Sequence, residues 1–177
     1  MDTPRVRRLV SLSERDIQGL CDVLIDCVEG GASIGFMLPM TCAKAEAFWR
    51  GVAAGVERGE RILLVAEDDA GIVGTVQVVL NLPENQPHRG DVAKMQVHRR
   101  ARRSGVGAAL LTAAEHAAAE AGRTLLVLDT VTASDAERLY VRAGWQRCGE
   151  IPQYALYPDG RPCPTTVFYK FVGGGAG

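Results

Sequence analysis

The chain has 177 residues, 47% of them hydrophobic, which is enough to fill one substantial core. Its 20 basic residues stand against 21 acidic ones, and a formal charge of -1 gives no field that would draw it to nucleic acid or a membrane surface, so the expected partner is a small molecule. Five cysteines without Cys-x-x-Cys spacing are a reduced, cytoplasmic pattern, and neither an export signal nor the ~18-residue apolar window of a membrane span is found.

Arg5 to Val10 suits a short first strand. Ser13 is placed to cap a helix that carries Ile17, Leu20, Cys21, Leu24, Ile25 and Val28 on one side, and Gly30-Gly31 ends it. The connection Ala32 to Pro39 is unusually apolar and is expected to pack inward or line a pocket. Thr41 caps a second helix to about Arg58, with Cys42, Ala45, Phe48, Trp49, Val52 and Val56 at helical spacing. Arg61 to Glu67 and Ile72 to Leu80 read as an antiparallel hairpin around the polar turn Asp68-Asp69-Ala70-Gly71.

After a proline-containing loop, Asn81 to Gly90, Val92 to Val97 forms the next strand, and an alanine-rich helix runs from about Gly105 to Ala121. Leu125 to Leu128 is a buried strand, parallel to the preceding one if that helix is a crossover, with Asp129 and Thr130 at its end. Ser134-Asp135-Ala136-Glu137 spells a capping box for a short helix closed by Gly144. Trp145 to Glu150 and Thr166 to Phe171 are the last strands, separated by a loop from Pro152 to Pro164. The order βααβββαβαββ predicts an α/β (α+β mixed) fold, a central mixed sheet of about seven strands flanked by about four helices. One domain is expected over residues 1–172, followed by a disordered glycine-rich tail at 173–177.

The segment with the most chemical content joins the fourth strand to the alanine-rich helix: Arg102-Arg103-Ser104-Gly105-Val106-Gly107. Glycines at 105 and 107 let the backbone approach a ligand and turn its N–H groups outward, and the helix N-terminus adds about half a positive charge, so the turn suits a phosphate. Gly107 is followed by Ala108 and Ala109 rather than Lys and Ser or Thr, which argues against a nucleoside triphosphatase. Leu110 stands where a dinucleotide fingerprint needs its third glycine, although Asp129, 24 residues beyond Gly105, leaves a nicotinamide-dependent oxidoreductase as an alternative.

Arg-x-x-Gly-x-Gly resembles the cofactor signature of the GCN5-related N-acetyltransferase (GNAT) superfamily. Further segments, Gly30-Gly31-Ala32-Ser33-Ile34-Gly35-Phe36-Met37, Leu128-Asp129-Thr130, Ala136-Glu137-Arg138-Leu139-Tyr140, Gly149-Glu150-Ile151-Pro152 and Pro158-Asp159-Gly160-Arg161, are similar to the tabtoxin-resistance acetyltransferases. Ser104 and Arg103 depart from the residues many members carry in the loop, a change that a cradle of backbone N–H groups tolerates.

The resemblance implies a mostly antiparallel sheet and acetyl-CoA as cosubstrate, with its diphosphate on Arg102, Arg103, Ser104, Gly105, Val106 and Gly107. Its pantetheine arm would pair with Met95, Gln96 and Val97, and a backbone N–H there would polarise the thioester carbonyl. Tyr140 matches the family's general acid toward the leaving thiolate, although its place on an inward helix face also suits a core aromatic. Asp129 would orient the acceptor amine and pass its proton onward, because direct abstraction between groups of pKa ~3.9 and ~10.4 is uphill by ~9 kcal/mol. Ser33, Phe36, Trp49 and Tyr154 are candidates for the acceptor side, with core packing the competing role for Trp49 and turn chemistry the competing explanation of the late loop.

The expected activity is transfer of an acetyl group to the amine of a small metabolite, antibiotic or toxin by a monomer or homodimer, with no metal, because His88, His98 and His116 lie in no metal-site spacing. A non-catalytic acyl-CoA-binding module would keep the loop but could dispense with Tyr140 and Asp129.

Overall fold

In the computed structural model, which describes residues 5–173, Ser13 does cap the first helix. Its hydroxyl accepts from the Asp16 N–H while the Asp16 carboxylate accepts from the Ser13 N–H, so two otherwise orphaned donors are satisfied. In chain order the elements are β1 (Arg5–Leu9), α1 (Glu14–Glu29), α2 (Cys42–Glu57), β2 (Arg61–Asp68), β3 (Gly71–Val79), β4 (Arg89–Val97), α3 (Val106–Glu120), β5 (Leu125–Val131), α4 (Asp135–Arg142), β6 (Gln146–Leu156) and β7 (Pro162–Phe171). This is the expected mixed α/β architecture, one seven-stranded sheet with four helices among the described residues. Most of the tail expected to be disordered, residues 174–177, lies outside the described residues.

The sheet order is β1-β2-β3-β4-β5-β7-β6, antiparallel throughout except for the β4/β5 pair, which α3 connects as a crossover. Alternation along the strands divides the core into two layers. Ile62, Leu64, Val76, Val78, Val92, Leu126 and Leu128 face α3 and α4, whereas Leu63 and Val65 face α1 and α2. Among the described residues no helix is long and apolar enough to cross a membrane.

Three readings need correction. First, β5 does not stop at Leu128: Asp129 and Thr130 lie within the strand, because β7 continues to pair with it as far as Val131. Second, the segment from Pro152 to Pro164 is no loop but the greater part of a β6–β7 hairpin whose turn closes with the Tyr157 N–H on the Arg161 carbonyl at 2.8 Å. Prolines argue against a strand, but β6 is the sheet's edge and Pro152 falls where its ladder to β7 is interrupted between Ile151 and Ala155. Third, Ser134 does cap α4, accepting from the Glu137 N–H at 3.1 Å, but Glu137 reaches back to the N–H of Ala133 rather than to that of Ser134.

Candidate active site

The apolar positions of β4 change parity between Val92 and Met95, and this one-residue shift has a structural counterpart. Gln77 of β3 pairs with Ala93 while Thr75 pairs with Gln96, so β4 carries one extra residue and bulges, with Lys94 at φ 53°. Beyond the bulge Met95 and Val97 pack on the α3 side, and Gln96 returns to the α1/α2 side, where it is buried.

The same strand loses its other neighbour. Pairing of β4 with β5 is confined to Arg89/Leu125, Gly90/Leu126 and Asp91/Val127. From Val92 onward the two strands diverge, so the half of β4 that contains Met95, Gln96 and Val97 lacks a β5 partner. An unpaired strand edge is a template for an extended ligand. The Val97 carbonyl accepts from the Arg102 Nε at 3.3 Å and from the Cys27 thiol at 3.5 Å.

The loop after β4 is fastened at its root to α1. Asp26 accepts from the Arg99 backbone N–H and from its Nε, both at 2.8 Å. Burial alone would raise the Asp26 carboxyl, but the bonds from Arg99 and the nearby charges of His98 and Arg99 outweigh it and hold the carboxyl below the usual range. The two glycines then do different work. Gly105 sits at φ 83°, with nothing within 4 Å of where a Cβ would stand, and caps α3 without any side-chain hydrogen bond, so the helix's first N–H groups remain available to an anion. Gly107 instead makes room: a Cβ there would lie 3.2 Å from Leu139 Cδ2 of α4. Of the arginines, Arg102 and Arg103 are exposed, Arg103 at φ 62°, and Ser104 donates its hydroxyl to the Ala101 carbonyl at 2.6 Å, tightening the turn.

Asp129 and Tyr140 meet electrostatically at the parting of the strands. Tyr140 is 4% exposed, packed between Trp145 and Phe168 with ring centroids 6.0 and 6.1 Å away. Burial and, second, the charge of Asp129 push its phenol well above the ordinary range, so it stays protonated at any physiological pH. Asp129 is exposed on the opposite face, and its charge also reaches Lys94 and Asp91. The platform under Tyr140 is braced: the Trp145 indole N–H donates to Glu115 at 2.8 Å, and Lys170 bridges Glu115 and the Ala143 carbonyl at the end of α4.

The connection between α1 and α2 crosses to the β6–β7 hairpin. The Leu38 N–H donates to the Pro158 carbonyl at 3.1 Å and the Ser33 hydroxyl to the Leu156 carbonyl at 2.7 Å, so Ser33 serves as a clasp. Phe36 is half-buried and meets Phe48 edge-on at 5.1 Å, which in turn meets Trp49 at 5.0 Å. Trp49 is wholly buried and lies behind this pair. Tyr154, expected in a loop, stands on β6 and is 55% exposed.

The antiparallel neighbours β3 and β7 distinguish this sheet from the doubly wound parallel sheet that a dinucleotide fold requires, which removes the oxidoreductase alternative. Residues 59–147, half of the chain, match the model of the acetyltransferase (GNAT) domain. The chain belongs to the GNAT acetyltransferase family. It is 32% identical over 126 residues, 70% of its own length and 73% of the relative's, to an uncharacterized N-acetyltransferase from the hisH-hisA intergenic region of Azospirillum brasilense. Its fold matches the ribosomal-protein-alanine N-acetyltransferase of Brucella melitensis at a TM-score of 0.79 and 23% identity, covering 95% of this chain and 99% of that one. It also matches yncA, a putative acetyltransferase of Salmonella typhimurium solved with acetyl-CoA, at a TM-score of 0.79 and 16% identity over 99% and 98% of the two chains. As a GNAT member this protein is an N-acetyltransferase, and acetyl-CoA is the cosubstrate with which its Salmonella typhimurium neighbour was solved.

The residues present fit that cosubstrate, with a helix end free of side-chain caps, an open left-handed glycine beside it and an unpaired strand edge leading into the cleft. Sequence reasoning missed Lys94, Gln77, the Gln96 side chain and Arg61, which lie on the α1/α2 side of the sheet along β2, β3 and the bulged half of β4. The parity change within β4 was the available signal for Lys94.

Proposed function

We propose that this protein transfers an acetyl group from acetyl-CoA to the amine of a small molecule by direct attack within a ternary complex. The observation that carries the reading is the parting of β4 from β5 beyond Asp91/Val127, with Asp129 two residues further along β5 and close enough for its charge to act on Tyr140 of α4. In this reading the N–H groups at the start of α3, reached through Arg102, Arg103, Ser104, Gly105, Val106 and Gly107, hold the diphosphate. The free edge of Met95, Gln96 and Val97 aligns the pantetheine arm, and a backbone N–H there stabilises the oxyanion.

Asp129 receives the ammonium and passes its proton to water, since the side chain is exposed and carboxylates as a class are far weaker bases than alkylamines. Tyr140 donates a hydrogen bond to the departing sulfur. With ordinary pKa values of ~10 for a phenol and ~8.5 for a thiol, complete proton transfer is ~2 kcal/mol uphill, and burial makes it more so, so donation accompanies C–S cleavage rather than preceding it. Phe36 faces the acceptor with Trp49 behind it, Ser33 clasps the covering loop, and Tyr154 stands at the outer rim.

The resemblance to tabtoxin-resistance enzymes supports an antibiotic, toxin or related metabolite as acceptor, and the free cysteines among the described residues suit a reducing cytoplasm. The test is release of CoA thiol from acetyl-CoA across a panel of small amines, paired with thermal shift by acetyl-CoA and by NADH. Stabilisation by acetyl-CoA with amine-dependent thiol release is expected. Stabilisation without release from any amine would leave a binding module instead.

A further inference from the structure

Beneath the connection between α1 and α2 lies a positive pole that forms no salt bridge among the described residues. Lys94 stands on the β4 bulge at φ 53°, a left-handed conformation that is unfavourable for a lysine and is retained where its surroundings impose it. Its Nζ lies 5.8 Å from the centroid of the Phe36 ring. Among the described residues it forms no ion pair. Burial lowers its basicity, the charge of Asp129 works against that, and the nearby guanidinium of Arg61 adds to the lowering.

Arg61 approaches the same ground from β2. Its guanidinium donates to the Gln77 side-chain oxygen at 2.9 Å, while its Nε is buried with no partner. Gln77 is 1% exposed, and its side-chain nitrogen has no partner either. Gln96, 2% exposed, leaves both its amide nitrogen and its oxygen unsatisfied. The register sets these side chains together: Gln77 opposes Ala93, next to Lys94, and Gln96 follows two residues later on the same face. Buried amides with unsatisfied atoms are costly and rare in a folded protein, and two of them beside two cations that form no salt bridge among the described residues suit a site shaped for oxygen atoms that arrive with a ligand.

Across the parting of the strands, Asp129 supplies the opposite pole. A simple monoamine would satisfy Asp129 and leave Lys94 unpaired, whereas a ligand carrying both an ammonium and an acid group complements both ends. We propose that the acceptor is a small amino acid or comparable amphoteric amine, whose acid group is held by Lys94 while its amine is held toward Asp129. This rests on the acetyl-transfer reading above and assigns Lys94 as a specificity-determining residue of that site. A carboxylate and a phosphorus oxyanion share the chemistry that Lys94 recognises.

The experiment compares matched amines: free amino acids, their amides and methyl esters, the corresponding decarboxylated amines, and aminophosphonates, each followed by CoA thiol release. Acid-bearing members are expected to exceed their neutral counterparts in kcat/KM by on the order of 10- to 100-fold, the size of a hydrogen-bonded charge contact. Carboxylate against phosphonate tells which acid group is preferred. In Lys94→Met the ratio of acid to amide should collapse toward one through a raised KM, and Lys94→Arg, which keeps the charge without the bulk change of a truncation, should restore part of it. Neutral amines that serve as well as the acids, or a ratio unchanged in a folded Lys94→Met, overturn the inference and leave acetyl transfer intact. Absence of thiol release from every amine overturns acetyl transfer to small amines, and this inference with it.

Discussion

Replacing Tyr140 by Phe removes one hydroxyl and little else. The ring is 4% exposed and its neighbours Trp145 and Phe168 are held at centroid distances of 6.0 and 6.1 Å, contacts that a phenylalanine reproduces. Each such aromatic pair contributes about 0.5–1.5 kcal/mol beyond the area it buries, and both survive. Stability should therefore change by less than about 1 kcal/mol, a shift of at most ~4 °C in Tm for a chain of this size. Catalysis should not survive so well. Positioned acid–base groups contribute about 10²–10⁴-fold, and because this phenol is a weaker acid than the thiol it serves, the lower end applies: kcat should fall about 100-fold, or ~2.7 kcal/mol of barrier. The assay is steady-state CoA thiol release with the best amine of the panel, alongside thermal denaturation and acetyl-CoA binding. Tyr140→Ala is the contrast, since emptying the site costs about 3–5 kcal/mol of folding free energy as well. A folded Tyr140→Phe enzyme that keeps kcat within twofold would refute the role, and the buried position alone would then explain the residue.

Other substitutions separate contributions that the sequence groups together. Gly105→Ala meets no atom but must adopt φ 83°, so a loss of about 1–2 kcal/mol is expected by thermal denaturation, whereas Gly107→Ala gains about 1 kcal/mol of helix propensity against a 3.2 Å approach to the flexible end of Leu139 and should come out near neutral. The reverse order would contradict the assignment of φ to one glycine and space to the other. Asp26→Asn should cost about 1.5–3 kcal/mol at pH 7, because the carboxylate accepts two bonds from Arg99. Its depressed carboxyl gives stability that is present above the unfolded value of ~3.9 and disappears as pH falls through the folded value, so the gap in Tm between wild type and Asp26→Asn should narrow below about pH 4; a gap constant down to pH 3 would deny the linkage. Asp129→Asn should lower kcat/KM on the order of 10-fold or more in the thiol-release assay, and unchanged turnover would remove Asp129 from the reaction.

Much of this was legible in the chain itself. Ser13 and Thr41 as caps, the Asp68–Gly71 turn, the crossover from Val97 through the alanine-rich helix to Leu125 and the uncapped glycine at Gly105 are local matters, decided by side-chain oxygens, turn residues and periodicity within a few positions. So the element order and the glycine turn that opens α3 followed from sequence alone. The tertiary structure decided the rest, because it depends on which strands find partners. Asp129 lies inside β5 rather than beyond it because β7 pairs with it from the far side, and the Pro-rich stretch became a hairpin because an edge strand tolerates an interrupted ladder. Local spacing carries no record of such partners. The parting of β4 from β5, the burial of Tyr140 against Trp145 and Phe168, and the meeting of Lys94, Arg61, Gln77 and Gln96 under the α1–α2 connection arise only once distant segments are packed on one sheet.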